Sequence, residues 1–369
     1  MAEPPLAAAE AALAAAVGAG VRLGAPRLLK SWQRNDVWRC AVEGGPGALP
    51  PAVIVKCFRD RDRGFDEWAS LAFLTRLGLA PLLAPRFLAG AASASLFVIE
   101  DWGPGQTLDD LLRGPDPDAA ESTLMALART TAHLHAATHE DHEAFDRLRE
   151  SLAPRRSTPL VAAVEDLCDA SASLTGWLEA LGLAAPAGLA ASVKTLARSL
   201  AEPGAFITFT HGDMAPSNNH VAPAGVRLLD FEYGGVRPAL YDTLLWTLFC
   251  PFPDSAIKRA EVAYRVELTS RWPAAGDEAA YRAERAGVVG WRTVKMLQWF
   301  TPAILQWDQS WAPEVTVRQA LLWHLDRFAA VDQGPGLRAL GEALSVLNAA
   351  LTRRWAAERA SMFVWRAFR

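Results

Sequence analysis

The sequence predicts an α+β protein in two lobes, from three observations. Short runs rich in β-branched residues crowd residues 27–57 and 95–102. Amphipathic helical texture takes over after residue 107 and dominates the remainder. A Gly-Pro-Gly joint at 103–105 separates the two textures. We therefore divide the chain into an N-terminal lobe, 1–102, and a helical C-terminal lobe, 103–369. At 369 residues, 51% of them hydrophobic, the chain can bury more than one core.

Residues 6–17 are Ala-rich and read as a helix. Glu3 and Glu10, with no basic leader, mark it as a soluble helix rather than a signal peptide. "DVWRCAVEG" (36–44) and "AVIVKCF" (52–58) read as strands on either side of a glycine-rich turn. "FDEWASLAFLTRLG" (65–78) carries Phe65, Trp68, Leu71 and Leu77 on one helical face, with Gly78 as its stop. "SLFVIEDW" (95–102) is a further strand. "ESTLMALARTTAHLHAATH" (121–139) is an amphipathic helix, and "AFITFT" (205–210) reads as strand. "NNHVA" (218–222) and "VRLLDF" (226–231) form an expected hairpin around Pro223, Ala224 and Gly225. From Tyr241 onward the pattern is helical and rich in tryptophan.

Composition excludes several classes. A formal net charge of −4 argues against a nucleic-acid binder. Cys40, Cys57, Cys168 and Cys250 form no CxxC pair, which argues against zinc or a disulfide framework and for a reducing, cytoplasmic setting. No stretch is long and apolar enough to predict a membrane span.

"HGDMAPSN" (211–218) and "LLDFE" (228–232) carry the chemistry. Phosphoryl transfer needs a positioned acceptor hydroxyl, a divalent metal on the phosphates and a cation beside them. Asp213 and Asn218 stand five apart on a loop stiffened by Pro216, so both side chains can turn to one point. Asp213 would orient or deprotonate the hydroxyl. Asn218 offers an amide oxygen to magnesium, and antiparallel pairing brings Asp230 back beside it as the main metal ligand. His211 reads as a brace for the loop. Glu232 reads as a magnesium ligand, as a neighbour of the metal's ligands or as an ion-pair partner. Asn219 reads as the first strand residue of the hairpin, a bystander to the metal.

In that order and spacing, these segments resemble the H-G-D-x-x-x-x-N and D-F-E signatures of the aminoglycoside phosphotransferase and choline kinase families, small-molecule kinases with a protein-kinase-like fold. The resemblance extends from about residue 35 to 245. It implies that Lys56, ending "VIVK", holds nucleotide phosphates and that Glu67 pairs with it. It also implies that Glu100, Asp101 and Trp102 form the hinge against adenine, and that Asp242 braces the segment after D-F-E. ATP and Mg2+ follow as the implied cofactors, with the hydroxyl of a small molecule as acceptor: aminoglycoside-like, amino-alcohol or sugar.

The departures are informative. "SWQRNDVWRCAVEG" (31–44) has no glycine in its turn, where protein kinases place a glycine-rich loop over the phosphates. D-F-E replaces D-F-G, and no A-P-E follows it in the segment up to the helical part from Tyr241. All three favour a small-molecule kinase over a protein kinase. The competing class is a catalytically silent nucleotide-holding protein of the same fold. His133 and His135, two apart on a helix, read as structural. Asp254, Glu261, Glu267, Asp277, Glu278 and Asp308 suit a cationic acceptor or simply solvated helix faces. Seven tryptophans from Trp246 to Trp323 suit core packing or an aromatic cage.

Overall fold

The computed structural model of the chain describes residues 4–47, 49–223 and 225–369. Glu3 and Ala224 lie outside the described residues. In chain order the main elements are α1 (Leu6–Val17), β1 (Arg22–Ser31), β2 (Asn35–Gly44), β3 (Ala52–Phe58), α2 (Arg61–Arg76), β4 (Phe87–Ala91) and β5 (Leu96–Glu100). There follow α3 (Leu108–Arg113), α4 (Pro117–Thr138), α5 (His142–Leu152), α6 (Pro159–Glu165), α7 (Ala170–Ala180) and α8 (Leu189–Ala201). The strands β6 (Ile207–Thr210), β7 (Asn219–Ala222), β8 (Gly225–Leu228) and β9 (Gly235–Pro238) come next. The chain then continues through α9 (Asp254–Arg271), α10 (Glu278–Trp299), β10 (Ser310–Ala312), β11 (Val315–Thr316), α11 (Val317–Ala329), α12 (Arg338–Arg354) and α13 (Ala356–Ala360).

The described residues gather into two compact units. One comprises residues up to Leu108 together with Glu140–Arg156 and His211–Gly235; the other comprises Asp109–His139, Ser157–Thr210 and Val236–Arg369. The α+β class read from the sequence holds.

The first unit is built on an antiparallel sheet in the order β1-β2-β3-β5-β4. Side chains alternate across a strand, so each strand feeds two faces. One face presents Trp38, Cys40, Val53, Val55, Leu96 and Val98, all buried with Ala9 and Leu13 of α1. Each large aliphatic removed from water there contributes about 1.5–3 kcal/mol. Glu10 on α1 accepts a hydrogen bond from the Leu23 amide at 2.7 Å and fixes the helix to the strand edge. The opposite face presents Ile54 and Lys56 of β3, and α2 belongs to that side.

The helix α2 starts four residues before its apolar pattern does. Asp60 caps it by accepting from the Arg63 amide at 3.2 Å, which sets the true N-terminus. Gly78, with φ +71, marks the expected stop in the left-handed region. From α5, the fully buried Arg149 donates to Asp66 Oδ1 at 2.6 Å and to the Ala153 carbonyl at 2.7 Å. Phe145 packs edge-on to Phe73, with ring centroids 5.7 Å apart. These contacts hold α2 against α5 and so fix the rotation of α2. The hairpin β7–β8 pairs Asn219 with Leu228, as the sequence predicts, and Ala224 in its turn is the position not described.

The second unit is mainly helical. At its centre α4 packs on α9, and His135 is completely buried. Its Nδ1 lies 2.8 Å from the Tyr264 hydroxyl and its Nε2 lies 3.0 Å from Asp242 Oδ2. A carboxylate accepts only, so His135 carries its proton on Nε2 and Nδ1 takes the tyrosine O–H. His135 is thus structural, as expected, and Asp242 is its brace. Of the seven tryptophans, Trp246, Trp272 and Trp291 are core, while Trp299, Trp307 and Trp311 stay exposed.

Two helical glycines give a test of the packing. A Cβ on Gly64 in α2 would stand 2.1 Å from Phe58 Cγ, whereas one on Gly176 in α7 would meet nothing within 4 Å. Alanine gains helix propensity at both sites, so the available space decides the sign. Gly64→Ala should lose about 1–3 kcal/mol in urea unfolding, and Gly176→Ala should gain roughly 0.5–1 kcal/mol. Equal shifts would contradict the packing described.

Candidate active site

The sequence places a lysine at the end of a buried strand, and the structure surrounds it with carboxylates. Lys56 is 7% exposed. Its Nζ lies 2.6 Å from both oxygens of Glu67 and 2.9 Å from Asp230 Oδ1. Burial alone would lower the lysine's pKa, but Glu67 and Asp230 outweigh it and hold the ammonium above the ordinary lysine range. Burial pushes the Glu67 carboxyl up to about 7 against the pull of Lys56, with Asp230 adding to the rise. Burial would also raise Asp230, but Lys56 outweighs it and holds that carboxyl low.

Asp230 lies two residues past the end of β8 with φ +65, a left-handed conformation uncommon outside glycine and asparagine. Strain of that kind persists where the surroundings over-determine it. Here the Leu229 amide donates to the Asn218 carbonyl at 3.0 Å, and Lys56 takes the carboxylate.

The loop before the hairpin is held by its histidine. His211 is fully buried. Its Nδ1 accepts from the Asp213 amide at 3.2 Å, and its Nε2 lies 2.8 Å from the Leu229 carbonyl. Those partners fix the Nε2–H tautomer. His211 thus ties Asp213 to the residue before Asp230. Gly212, at φ +81, supplies the left-handed turn between them. Asn218 Nδ2 donates to the Asp213 carbonyl at 3.0 Å and to its carboxylate at 3.1 Å, and among the described residues the amide Oδ1 has the Ser217 hydroxyl as its partner, 3.4 Å away.

A pocket of about 240 Å³ opens within the same unit. Its walls include Val37, Ile54, Ile99 and Leu229, with Lys56, Glu67 and Asp230 at the polar part. Glu100, Asp101 and Trp102 also line it. Arg39 binds Asp101 at 2.5 Å, and Asp101 accepts from the Gly103 amide at 2.8 Å, so that stretch is held on both sides. The pocket therefore brings together six of the eight predicted site residues. Asp213 and Asn218 are not on its wall; they face each other on the adjoining loop.

A mostly apolar pocket with an ammonium and two carboxylates at its polar part has the chemistry to take a ligand with an apolar ring and a charged end. Among the described residues no group of three or more His, Cys, Asp or Glu stands together as a metal cage. One carboxylate and one amide, completed by phosphate oxygens and water, is instead a donor set of the kind magnesium takes.

Glu232 resolves as an ion-pair partner, 3.1 Å from Arg34. Burial raises its carboxyl, and Asp230 adds to the rise. The acidic residues of the second unit are also occupied. Asp254 binds Arg327 at 2.7 Å, Glu261 binds Arg285 at 2.6 Å, Glu267 binds Arg271 at 2.6 Å and Glu278 binds Arg265 at 2.6 Å. Asp277 caps α10, and Asp308 accepts from the Gln309 amide. These carboxylates serve the fold, so they give no argument for a cationic acceptor.

Sequence reasoning missed several residues. Lys30, Leu29 and His220 line the pocket without belonging to any motif. Asn219 opens β7, as the sequence predicts, and it also bonds beyond the hairpin. It is 1% exposed, its Oδ1 accepts from the Leu108 amide at 2.9 Å, and its Nδ2 donates to the Pro216 carbonyl at 2.7 Å. The only signal for it was its rarity, since the chain has four asparagines.

A lysine–carboxylate network beside an Asp/Asn loop is the apparatus of phosphoryl transfer, and the class this site defines is a phosphotransferase. The sequence comparison agrees: the chain belongs to the phosphotransferase enzyme family, whose profile matches residues 27–284. No curated protein matches the chain. Among solved structures it is similar to the choline kinase LicA from Streptococcus pneumoniae, with 16% identity, 88% of this chain and 94% of that chain covered, and a TM-score of 0.44. It is likewise similar to the macrolide 2'-phosphotransferase MphH from Brachybacterium faecium, with 16% identity, coverage of 75% and 96%, and a TM-score of 0.43. A choline/ethanolamine kinase family protein from Mesorhizobium loti shares 17% identity, with coverage of 88% and 93% and a TM-score of 0.46.

The asparagine pair should separate on substitution. Asn219→Ala leaves a buried N–H and a carbonyl unpaired and should cost on the order of 1–3 kcal/mol for each. Asn218→Ala, partly exposed, should cost about 1 kcal/mol. Thermal unfolding of the two variants checks this; equal losses would contradict the brace assigned to Asn219.

Proposed function

We propose that the protein transfers the γ-phosphoryl group of ATP to a hydroxyl of a small molecule, with magnesium as the required ion. The observation that carries this reading is the buried Lys56, held by Glu67 and Asp230 in a pocket whose wall also includes the 100–102 stretch. In this reading residues 1–102 serve chiefly to hold the nucleotide, and 103–369 supply the catalytic loop and the acceptor side.

The roles follow from the chemistry of each side chain. Lys56 neutralises oxygens of the nucleotide phosphates, and Glu67 keeps its ammonium aimed and charged. The backbone of Glu100, Asp101 and Trp102 meets the base. Asp230 and Asn218 are the residues that would hold magnesium. When bound, the ion neutralises charge on the phosphates. Asp213 takes the proton of the acceptor hydroxyl as its oxygen bonds to the γ-phosphorus and the bond from that phosphorus to the bridging oxygen of ADP breaks. Asn218, donating to Asp213, keeps that carboxylate in position. Little covalent chemistry is asked of the protein, which is why a few well-held charges suffice.

We read the acceptor as small because two protein-kinase marks are missing from their places: there is no glycine loop at the first hairpin, and no A-P-E in the segment between D-F-E and the helical part from Tyr241. A panel of alcohols, amino-alcohols, sugars and aminoglycosides assayed with γ-labelled ATP tests the reading. Asp213→Ala should lower turnover of the accepted substrate by about 10²–10⁴-fold while nucleotide affinity stays near wild type. Asp230→Ala should weaken magnesium–nucleotide binding by calorimetry. Near-normal turnover in the first variant, or unchanged affinity in the second, would sink the assigned roles.

A further inference from the structure

Protein kinases cover the nucleotide phosphates with a glycine-rich loop between their first two strands. The corresponding hairpin here, β1–β2, is built to do something else. Its turn, Trp32 to Arg34, has no glycine and no residue with positive φ. The Trp32 amide already donates to the Asn35 carbonyl at 2.9 Å. Arg59 binds both the Trp32 carbonyl and the Asp36 carboxylate, and Ser31 donates to Asp36 at 2.6 Å. The Arg34 carbonyl accepts from the Arg59 amide at 2.7 Å, while its guanidinium reaches Glu232 at 3.1 Å and the Tyr233 hydroxyl at 2.8 Å. A hairpin pinned at this many points, without glycine, is poorly suited to lay its amides on a phosphate chain.

The sheet register offers a substitute. Lys30 on β1 is paired with Val37 on β2, and Val37 is paired with Lys56 on β3. Directly opposed residues share a face of the sheet. The two lysines therefore stand on one row, two strands apart, with their Cα atoms separated by roughly 10 Å at the usual strand spacing. Both line the pocket that holds Asp230. Lys56 is committed to two carboxylates. Lys30 is exposed, and among the described residues it forms no ion pair or side-chain hydrogen bond. It is one of only five lysines in the chain.

We propose that Lys30 is a second phosphate-binding cation of the nucleotide site, taking over on the polyphosphate the part that glycine-loop amides play in protein kinases. The inference rests on the nucleotide reading above and deepens it. An exposed ammonium on a flexible stem can follow a phosphate chain as a point charge, which suits a site lacking fixed amides.

Calorimetry with Mg2+ and a non-hydrolysable ATP analogue, and separately with adenosine, tests it on wild type, Lys30→Met and Lys30→Arg. Lys30→Met should lose about tenfold in affinity for the triphosphate and nothing for adenosine, with the melting temperature unchanged. The wild-type advantage should shrink as salt rises, and Lys30→Arg should recover most of it. Triphosphate affinity in Lys30→Met within twofold of wild type would overturn the proposal. So would an equal loss for adenosine, which would mean a role in shaping the pocket. If the wild type bound neither ligand, the nucleotide reading itself would fall, and this proposal with it.

Discussion

A single ammonium organises the first unit. Lys56 sits almost out of reach of water, with Glu67 doubly bonded to it on one side and Asp230 on the other. Bringing those charges out of water costs several kcal/mol per ion, and hydrophobic residues of the same volume would often be no less stable. The network is therefore a poor investment in stability. What it does achieve is to fix three elements at once: β3 carries the lysine, α2 carries the glutamate, and the segment after β8 carries the aspartate.

The remaining contacts of the unit serve that arrangement. Asp60 sets where α2 begins and Arg149 sets how it is rotated, so Glu67 faces the sheet. His211 ties the Asp213 loop to Leu229, one residue before Asp230. Asn219 ties the start of β7 to Leu108 and Pro216. Removing one partner from a buried ion network typically costs about 3–5 kcal/mol, because the others are left uncompensated. Substitutions at Glu67 must therefore be read with stability and affinity measured together.

Much of the site was legible because its chemistry is local. "VIVK" reads as a buried strand with a charge at its end, and "HGDMAPSN" with "LLDFE" reads as a loop and hairpin that return Asp230 toward Asn218. Local pattern also found α1 and β3 to the residue. It failed where the signal lay elsewhere. The strand β4, "FLAGA", has no β-branched residue and is formed by its pairing with β5. The first turn of α2 has little apolar character and exists because of its cap. Asn219 acts through Leu108, about a hundred positions away, and Lys30 is brought to the pocket by the pairing of β1, β2 and β3; no local motif contains either relation. The acidic residues of the second unit, open in the sequence between a cationic acceptor and solvated helix faces, pair in the structure mostly with arginines of other turns or other helices.

The central claim is that the Lys56–Glu67–Asp230 network is the phosphate end of a magnesium–nucleotide site. A crystal structure with Mg2+ and a non-hydrolysable ATP analogue tests it most directly. The account predicts the phosphates beside Lys56, the ion on Asp230 and Asn218, and the Lys56 bond to Glu67 preserved as its contact with Asp230 gives way. Nucleotide bound elsewhere, or an ion that avoids Asp230, would contradict it.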